Sequence, residues 1–167
     1  MHAKMHKLLA AVGGRVDAVF YCPHTPDDKC HCRKPEPGLF EQIGERYGID
    51  LKAVPVVGDA TRDVVAGATA GCEPHLVLTG NGAVYRGRAL PPTFPAGTRV
   101  HNDLSAFADW LVARDGQAEA AVGREHAGEV LVAARLLGGG GGLRAQYLAS
   151  QSRPSFALSF TICGSFG

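Results

Sequence analysis

The 167-residue chain carries a formal net charge of +1, with 46% hydrophobic and 20% charged residues. This length suffices for one domain with a buried core, and the charge argues neither for nor against a nucleic-acid partner. There is no run of about 18 apolar residues that would predict a membrane span, and Met1–His6 lacks the apolar segment of a secretion signal. No basic patch interleaved with aromatic residues is present. We therefore expect a cytoplasmic protein with no membrane or nucleic-acid partner.

Strands and helices alternate along the first two thirds of the chain. In chain order, the patterns predict a helix over 4–13, a strand over 16–21, a helix over 38–47, a strand over 53–57, a small-residue helix over 61–70, strands over 75–79 and 98–101, and a helix over 104–112. The strand over 53–57 is apolar on both faces, as in a sheet covered on both sides. This alternation is typical of an α/β fold with a parallel sheet.

The composition changes after residue 114. Residues 116–167 contain no lysine, and they include a run of five glycines at 138–142 and an end rich in serine and phenylalanine. An alanine-rich helix is compatible with 119–137, but no motif occurs there. We therefore predict one α/β domain over 1–114 and an unassigned, poorly ordered tail over 115–167.

Cys22, His24, Cys30 and Cys32 form a Cys-x-His-x5-Cys-x-Cys pattern immediately after the first predicted strand. Three thiols and one imidazole are the closed tetrahedral ligand set of a structural zinc site. The alternative is an unrelated group of polar and sulfur-containing loop residues. We expect zinc, with His31 pointing away from it, and a reducing compartment that keeps the thiols unpaired.

Two further groups of charged residues lie beside predicted strand or helix ends. Arg33 and Lys34 precede a helix whose first amides also favour anions, so they suit a phosphate group. Two ordinary solvated cations explain this pair equally well. Asp59 and Asp63 follow the buried strand, where parallel sheets bind ligands, and Asp59 suits Mg²⁺. Helix capping by aspartate is the alternative for this second pair.

Taken together, these motifs resemble a known family. Cys-Pro-His, Cys-x-Cys-Arg-Lys-Pro-x-Pro-Gly and then Val-Gly-Asp-x-x-x-Asp are similar to the haloacid dehalogenase superfamily of phosphatases, over about residues 3–114. Within it, the pattern resembles the subgroup that removes the 7-phosphate of D-glycero-D-manno-heptose 1,7-bisphosphate in lipopolysaccharide precursor synthesis. The related histidinol-phosphate phosphatases share the zinc loop. A zinc-stabilised binding module without catalysis is a third alternative.

The resemblance implies a role for each matching residue. Arg33 would contact the substrate, Lys34 would stabilise the phosphoryl group, Asp59 would bind a catalytic Mg²⁺, and Asp63 would be the supporting acid. The zinc ligands would be the four residues of the Cys-x-His-x5-Cys-x-Cys pattern, in a Rossmann-like parallel sheet with an inserted zinc loop. The full-length protein would be a monomer acting on a small sugar phosphate.

One motif of the family is missing from these 167 residues. Its nucleophile is the first aspartate of an Asp-x-Asp pair on the first strand, and no Asp-x-Asp occurs in the sequence. We therefore expect a domain that is incomplete at its N-terminus, with an exposed sheet edge. We also expect little or no turnover, since residues acting as one catalytic unit do not retain activity in proportion to their number.

Overall fold

A computed structural model describes residues 2–11, 15–122, 133–134, 136–137, 144–145 and 159–165. The first two thirds contain α1 (His2–Ala10), β1 (Arg15–Cys22), α2 (Gly38–Tyr47), β2 (Pro55–Gly58), α3 (Thr61–Thr69), β3 (Glu73–Val77), β4 (Arg99–His101) and α4 (Leu104–Val122). They follow the predicted order with small shifts at their ends, except that α4 continues to Val122. The predicted end of α1, at residue 13, lies outside the described residues. None of the described helices has both the length and the apolarity needed to cross a bilayer.

The strands form a parallel sheet with a core on both faces of β2. β2 pairs with β3 from Pro55↔Glu73 to Gly58↔Leu76, and β3 pairs with β4 in the same sense. All four residues of β2 are buried, because α2 and α3 and the first turns of α4 supply apolar side chains around it. The predicted α/β fold with a parallel sheet is therefore confirmed.

Helix α3 lies unusually close to β2. A Cβ atom added to Gly67 would come within 2.7 Å of the Val56 side chain, so only glycine permits this spacing. The small residues of the α3 sequence thus bring the helix N-terminus, with Asp63, directly beside the carboxyl end of β2. This contact positions the first acidic residues of the candidate site.

The C-terminal segment differs from one of our expectations. It contributes β5 (Ala133–Ala134), β6 (Leu136–Leu137), β7 (Arg144–Ala145) and β8 (Ser159–Ser165), giving the sheet order β1-β8-β5-β2-β3-β4. The helix suggested over 119–137 is therefore wrong for its last residues. Among the described strands, β8 pairs along β1 and β5 pairs with β2 at Val56↔Ala133, but β1 itself lies at one edge of the sheet, so the expected exposed edge stays a prediction. Unpaired strand amides and carbonyls need such partners.

The domain boundary itself stays a prediction. The described strands after residue 132 add backbone pairing to the sheet, while β6 and β7 form a separate antiparallel pair. The assignment of 115–167 as a poorly ordered tail without a motif also stays a prediction.

Candidate functional site

The loop after β1 gathers the four predicted zinc ligands into one cluster. The ligand atoms of Cys22, His24, Cys30 and Cys32 all lie within 4.8 Å of one another. The three Sγ atoms are 3.3–3.5 Å apart, and His24 Nδ1 lies 3.2 Å from Cys32 Sγ. All three cysteines are free, since a disulfide requires sulfur atoms about 2.0 Å apart.

This arrangement fits a tetrahedral metal ion. Zn–S distances of about 2.3 Å would place neighbouring sulfur atoms about 3.8 Å apart, close to the observed spacing. Burial, together with the adjacent Cys22 and Cys30 thiols, raises the pKa of Cys32 to about 12. Burial also opposes ionisation of Cys30, although hydrogen bonds with Cys22 and Cys32 lower its pKa overall. Three thiolates this close need a cation between them, which the donor set is suited to hold.

Local interactions shape the loop around this cluster. Thr25 N and Oγ1 both donate to Asp28 Oδ2, at 2.6 and 2.8 Å, which closes a short turn between the two halves of the ligand set. Lys29 then reverses the chain with a left-handed φ of 46°. The guanidinium of Arg33 donates from Nη1 to the carbonyl oxygen of His24 at 3.0 Å. Arg33 thus braces the loop in addition to any contact with a ligand.

His31, between Cys30 and Cys32, points away from the cluster as expected. Its Nε2 lies 2.6 Å from Glu41 Oε2 on α2. The backbone of His31 also meets the start of this helix, where Gly38 N donates to its carbonyl oxygen at 3.1 Å. A Cβ atom on Gly38 would lie 2.6 Å from the same oxygen, so the loop docks onto α2 only because residue 38 is glycine.

Lys34 leaves the loop and enters the protein interior. Its Nζ lies 2.8 Å from Asp63 Oδ1, and both side chains are 3% exposed. The Asp63 carboxylate packs against Gly58, because a Cβ atom there would lie 3.2 Å from Asp63 Oδ2. The ion pair therefore joins the loop after β1 to the end of β2, one residue before Asp59.

Asp59 is a buried carboxylate with two differently used oxygens. Its Oδ2 accepts hydrogen bonds from Asn81 N at 3.0 Å and from Asn81 Nδ2 at 3.2 Å. Its Oδ1 is buried and accepts no hydrogen bond within the described part of the chain. A buried carboxylate oxygen without a donor is destabilising by itself, and it suits a hard cation such as Mg²⁺.

A cavity of about 500 Å³ opens beside the loop. Its lining carries three cationic side chains, an imidazole and one carboxylate: Lys29, Arg33, Lys34, His31 and Glu36. This volume suits a small polar ligand, and the excess of cations favours an anionic one. One of the four zinc candidates, Cys30, also lines this cavity, beside Arg33 and Lys34.

Two residues that position the site were not singled out from the sequence. Gly38 entered only as a helix start and as the last residue of the Pro-x-Pro-Gly motif, and Asn81 was given no role. In the structure, Gly38 seats the loop and Asn81 binds Asp59. The Gly-Asn-Gly pattern directly after a parallel strand was the available signal, since ligands bind at that edge.

The fold and these motifs define a hydrolase class. A family model for HAD-hydrolase-like proteins matches residues 31–107, which include the Cys-Arg-Lys segment, both aspartates and Asn81. Residues 31–107 of the chain therefore match the haloacid-dehalogenase-like hydrolases.

Individual relatives and a solved structure are similar to this chain over about two thirds of its length. The chain is 54% identical over 112 residues to the D-glycero-beta-D-manno-heptose-1,7-bisphosphate 7-phosphatase of Bordetella bronchiseptica, covering 67% of this chain and 61% of the relative. It is 46% identical, with the same coverage, to the protein of that name from Pseudomonas aeruginosa. The crystal structure of D,D-heptose 1,7-bisphosphate phosphatase from B. bronchiseptica with magnesium and phosphate superposes with a TM-score of 0.62 at 52% identity, covering 68% of this chain and 62% of that one. The chain thus spans about 61% of the length of these curated relatives.

Proposed function

We propose that these residues form part of a phosphatase that removes the 7-phosphate of D-glycero-D-manno-heptose 1,7-bisphosphate, a precursor in lipopolysaccharide heptose synthesis. The observation that carries this proposal is the buried Lys34–Asp63 ion pair, 2.8 Å long, beside the Asp59 carboxylate. A buried ammonium next to a cavity lined by cations favours a phosphoryl group. The relatives described above support a heptose bisphosphate as the substrate.

Each residue of the candidate site has its own role in the proposed reaction. Lys34 neutralises the negative charge that gathers on the phosphoryl group, and Asp63 holds the ammonium in place. Asp59 offers Oδ1 to a Mg²⁺ ion, which would supply further charge stabilisation. Arg33 contacts the substrate from the cavity wall. Cys22, His24, Cys30 and Cys32 would hold a structural zinc ion, and the loop they close keeps Arg33 and Lys34 in position.

The attacking group is not supplied by an Asp-x-Asp motif in this sequence. Covalent phosphoryl transfer needs a carboxylate nucleophile together with the charge-stabilising groups. We therefore propose that these 167 residues have little or no turnover by themselves. Unpaired thiols in the proposed zinc site favour a reducing, cytoplasmic location. The similarity to the heptose bisphosphate phosphatases supports a small sugar phosphate as partner. We keep the expectation of a monomer for the full-length enzyme.

The experiment compares this chain with a chimera. In the chimera, the segment of the B. bronchiseptica relative that has no counterpart here is joined ahead of residue 1. Both proteins are purified with zinc, and phosphate release is measured with Mg²⁺ on heptose 1,7-bisphosphate and on histidinol phosphate. We expect release from the heptose substrate by the chimera only. A Lys34→Met chimera should lose at least about 100-fold in kcat, as expected for a charge stabiliser.

Two results would redirect the proposal. Preference of the chimera for histidinol phosphate would favour the related phosphatases. A folded, zinc-loaded chimera that binds sugar phosphates without releasing phosphate would favour a non-catalytic binding module. Rapid turnover by the 167-residue chain itself would contradict the part of the proposal that concerns the nucleophile.

A further inference from the structure

We propose that Asn81 is a positioning residue that holds the Asp59 carboxylate with one oxygen turned toward the catalytic cation. This inference rests on the proposed function, because it takes Asp59 as the cation ligand. Asn81 donates from both its backbone N, at 3.0 Å, and its side-chain Nδ2, at 3.2 Å, to the same atom, Asp59 Oδ2. The other oxygen of that carboxylate is left for a different partner.

The turn that carries Asn81 is built to reach Asp59. It follows β3 as a short 3-10 helix over Gly80–Tyr85, with Gly80 at a left-handed φ of 56°. Gly82 has no room for a Cβ atom, which would meet the Val77 carbonyl oxygen and lie 3.3 Å from Asp59 O. The turn therefore packs directly across the ends of β2 and β3, and its backbone determines where Asn81 lies.

Two donors on one oxygen restrict a carboxylate that would otherwise rotate easily. The terminal torsion of an aspartate has broad energy minima, so its oxygens exchange at little cost. Here, turning the carboxylate out of its present plane would break both hydrogen bonds to Oδ2 and leave the two Asn81 donors without an acceptor. Asp59 is 1% exposed, so water does not replace them readily. Oδ1, buried and without a donor in the described residues, then stays available for the cation.

The side chain of Asn81 has no evident packing role. Asn81 is exposed, while the Asp59 carboxylate it contacts is buried. Loss of its amide should therefore change Asp59 more than it changes the fold. Groups that orient metal ligands typically alter metal affinity by 10–100-fold. We expect about tenfold, the lower end, because the backbone donor of Asn81 remains in a side-chain variant.

The test measures cation binding rather than activity. Mn²⁺ replaces Mg²⁺ as a paramagnetic probe, and its binding to the zinc-loaded 167-residue chain is followed by electron paramagnetic resonance. The variants are Asn81→Ala, Asn81→His and Asp59→Asn, with Asn102→Ala as the matched control on an exposed asparagine elsewhere. Urea unfolding of each variant is measured alongside.

We expect Asp59→Asn to abolish the site and Asn81→Ala to weaken it about tenfold. Asn81→His, whose Nδ1 can replace the amide donor, should recover most of the affinity, and Asn102→Ala should match the wild type. The unfolding midpoint should change little in all four. Equal Mn²⁺ affinity in Asn81→Ala and wild type would overturn the role of Asn81 alone.

Other outcomes also decide the question. Weaker binding that accompanies an equal loss of folded protein, without recovery in Asn81→His, would assign Asn81 a structural role and overturn the inference. A wild-type chain without an Mn²⁺ site that depends on Asp59 would overturn the cation assignment in the proposed function, and the role of Asn81 with it.

Discussion

The buried pair between Lys34 and Asp63 gives the sharpest prediction about stability. Lys34→Met keeps the length of the side chain and removes its charge. The carboxylate of Asp63, 3% exposed, then remains inside the protein without its ammonium partner. We expect the free energy of unfolding to fall by about 3–5 kcal/mol, as measured when one partner of a buried ion pair is removed.

The magnitude follows from the distance between the charges. At an effective dielectric constant of about 20, unit charges 2.8 Å apart attract by about 6 kcal/mol. Burial of each ion offsets much of this attraction in the wild-type protein. In the Lys34→Met variant the carboxylate of Asp63 is still buried, but the attraction that offset its burial is lost. The double variant Lys34→Met/Asp63→Asn should therefore cost less than the sum of the two single variants. We expect a coupling energy above about 1 kcal/mol.

The assay is urea unfolding of the zinc-loaded chain, followed by the fluorescence of Trp110, the one tryptophan in the sequence. Lys52→Met is the matched control, since Lys52 is exposed, and a change within about 0.5 kcal/mol is expected for it. The double variant Lys34→Met/Asp63→Asn completes the cycle. If Lys34→Met is no more destabilising than Lys52→Met, the pair does not contribute as reasoned here.

Three more predictions concern the loop and the sheet. Gly38→Ala should destabilise the chain by about 1–3 kcal/mol in urea unfolding, because the added Cβ atom clashes with the carbonyl oxygen of His31. Gly44→Ala on the same helix should cost little, because its Cβ atom meets only a flexible side chain. Similar losses for both variants would contradict the close docking of the loop on α2. Cys32→Ser should lower the zinc content that elemental analysis finds after dialysis against a chelator. The control Cys72→Ala should keep about one zinc ion per chain. A wild-type chain without zinc would refute the metal assignment. Burial, with nearby cationic groups, lowers the pKa of His75 to about 3 from 6.5, so its stabilising neutral form is fully present above pH 6.5 and stability falls as pH decreases toward 3. The loss should reach about 2 kcal/mol at pH 5, and His75→Leu should show a shallower slope in unfolding measured between pH 7.5 and 5.

The sequence alone determined what depends on neighbours along the chain. The Cys-x-His-x5-Cys-x-Cys spacing brings its ligands together within a single loop, because eleven residues can close around one ion. Strand and helix order likewise follows from hydrophobic periodicity, and Gly48 ends α2 in the left-handed conformation that glycine allows (φ 63°). The α/β class and the candidate metal ligands were therefore predictable.

Only the tertiary structure decided how distant segments meet. Lys34 and Asp63 pair because glycines at 58 and 67 let α3 approach β2 closely, and Asn81 reaches Asp59 because two parallel strands end side by side. Pairing of β8 with β1 was equally invisible, since a strand's partner depends on which backbone edges remain free after the sheet assembles. Such contacts depend on the order of strands in space, and hydrophobic periodicity along the chain carries no information about that order.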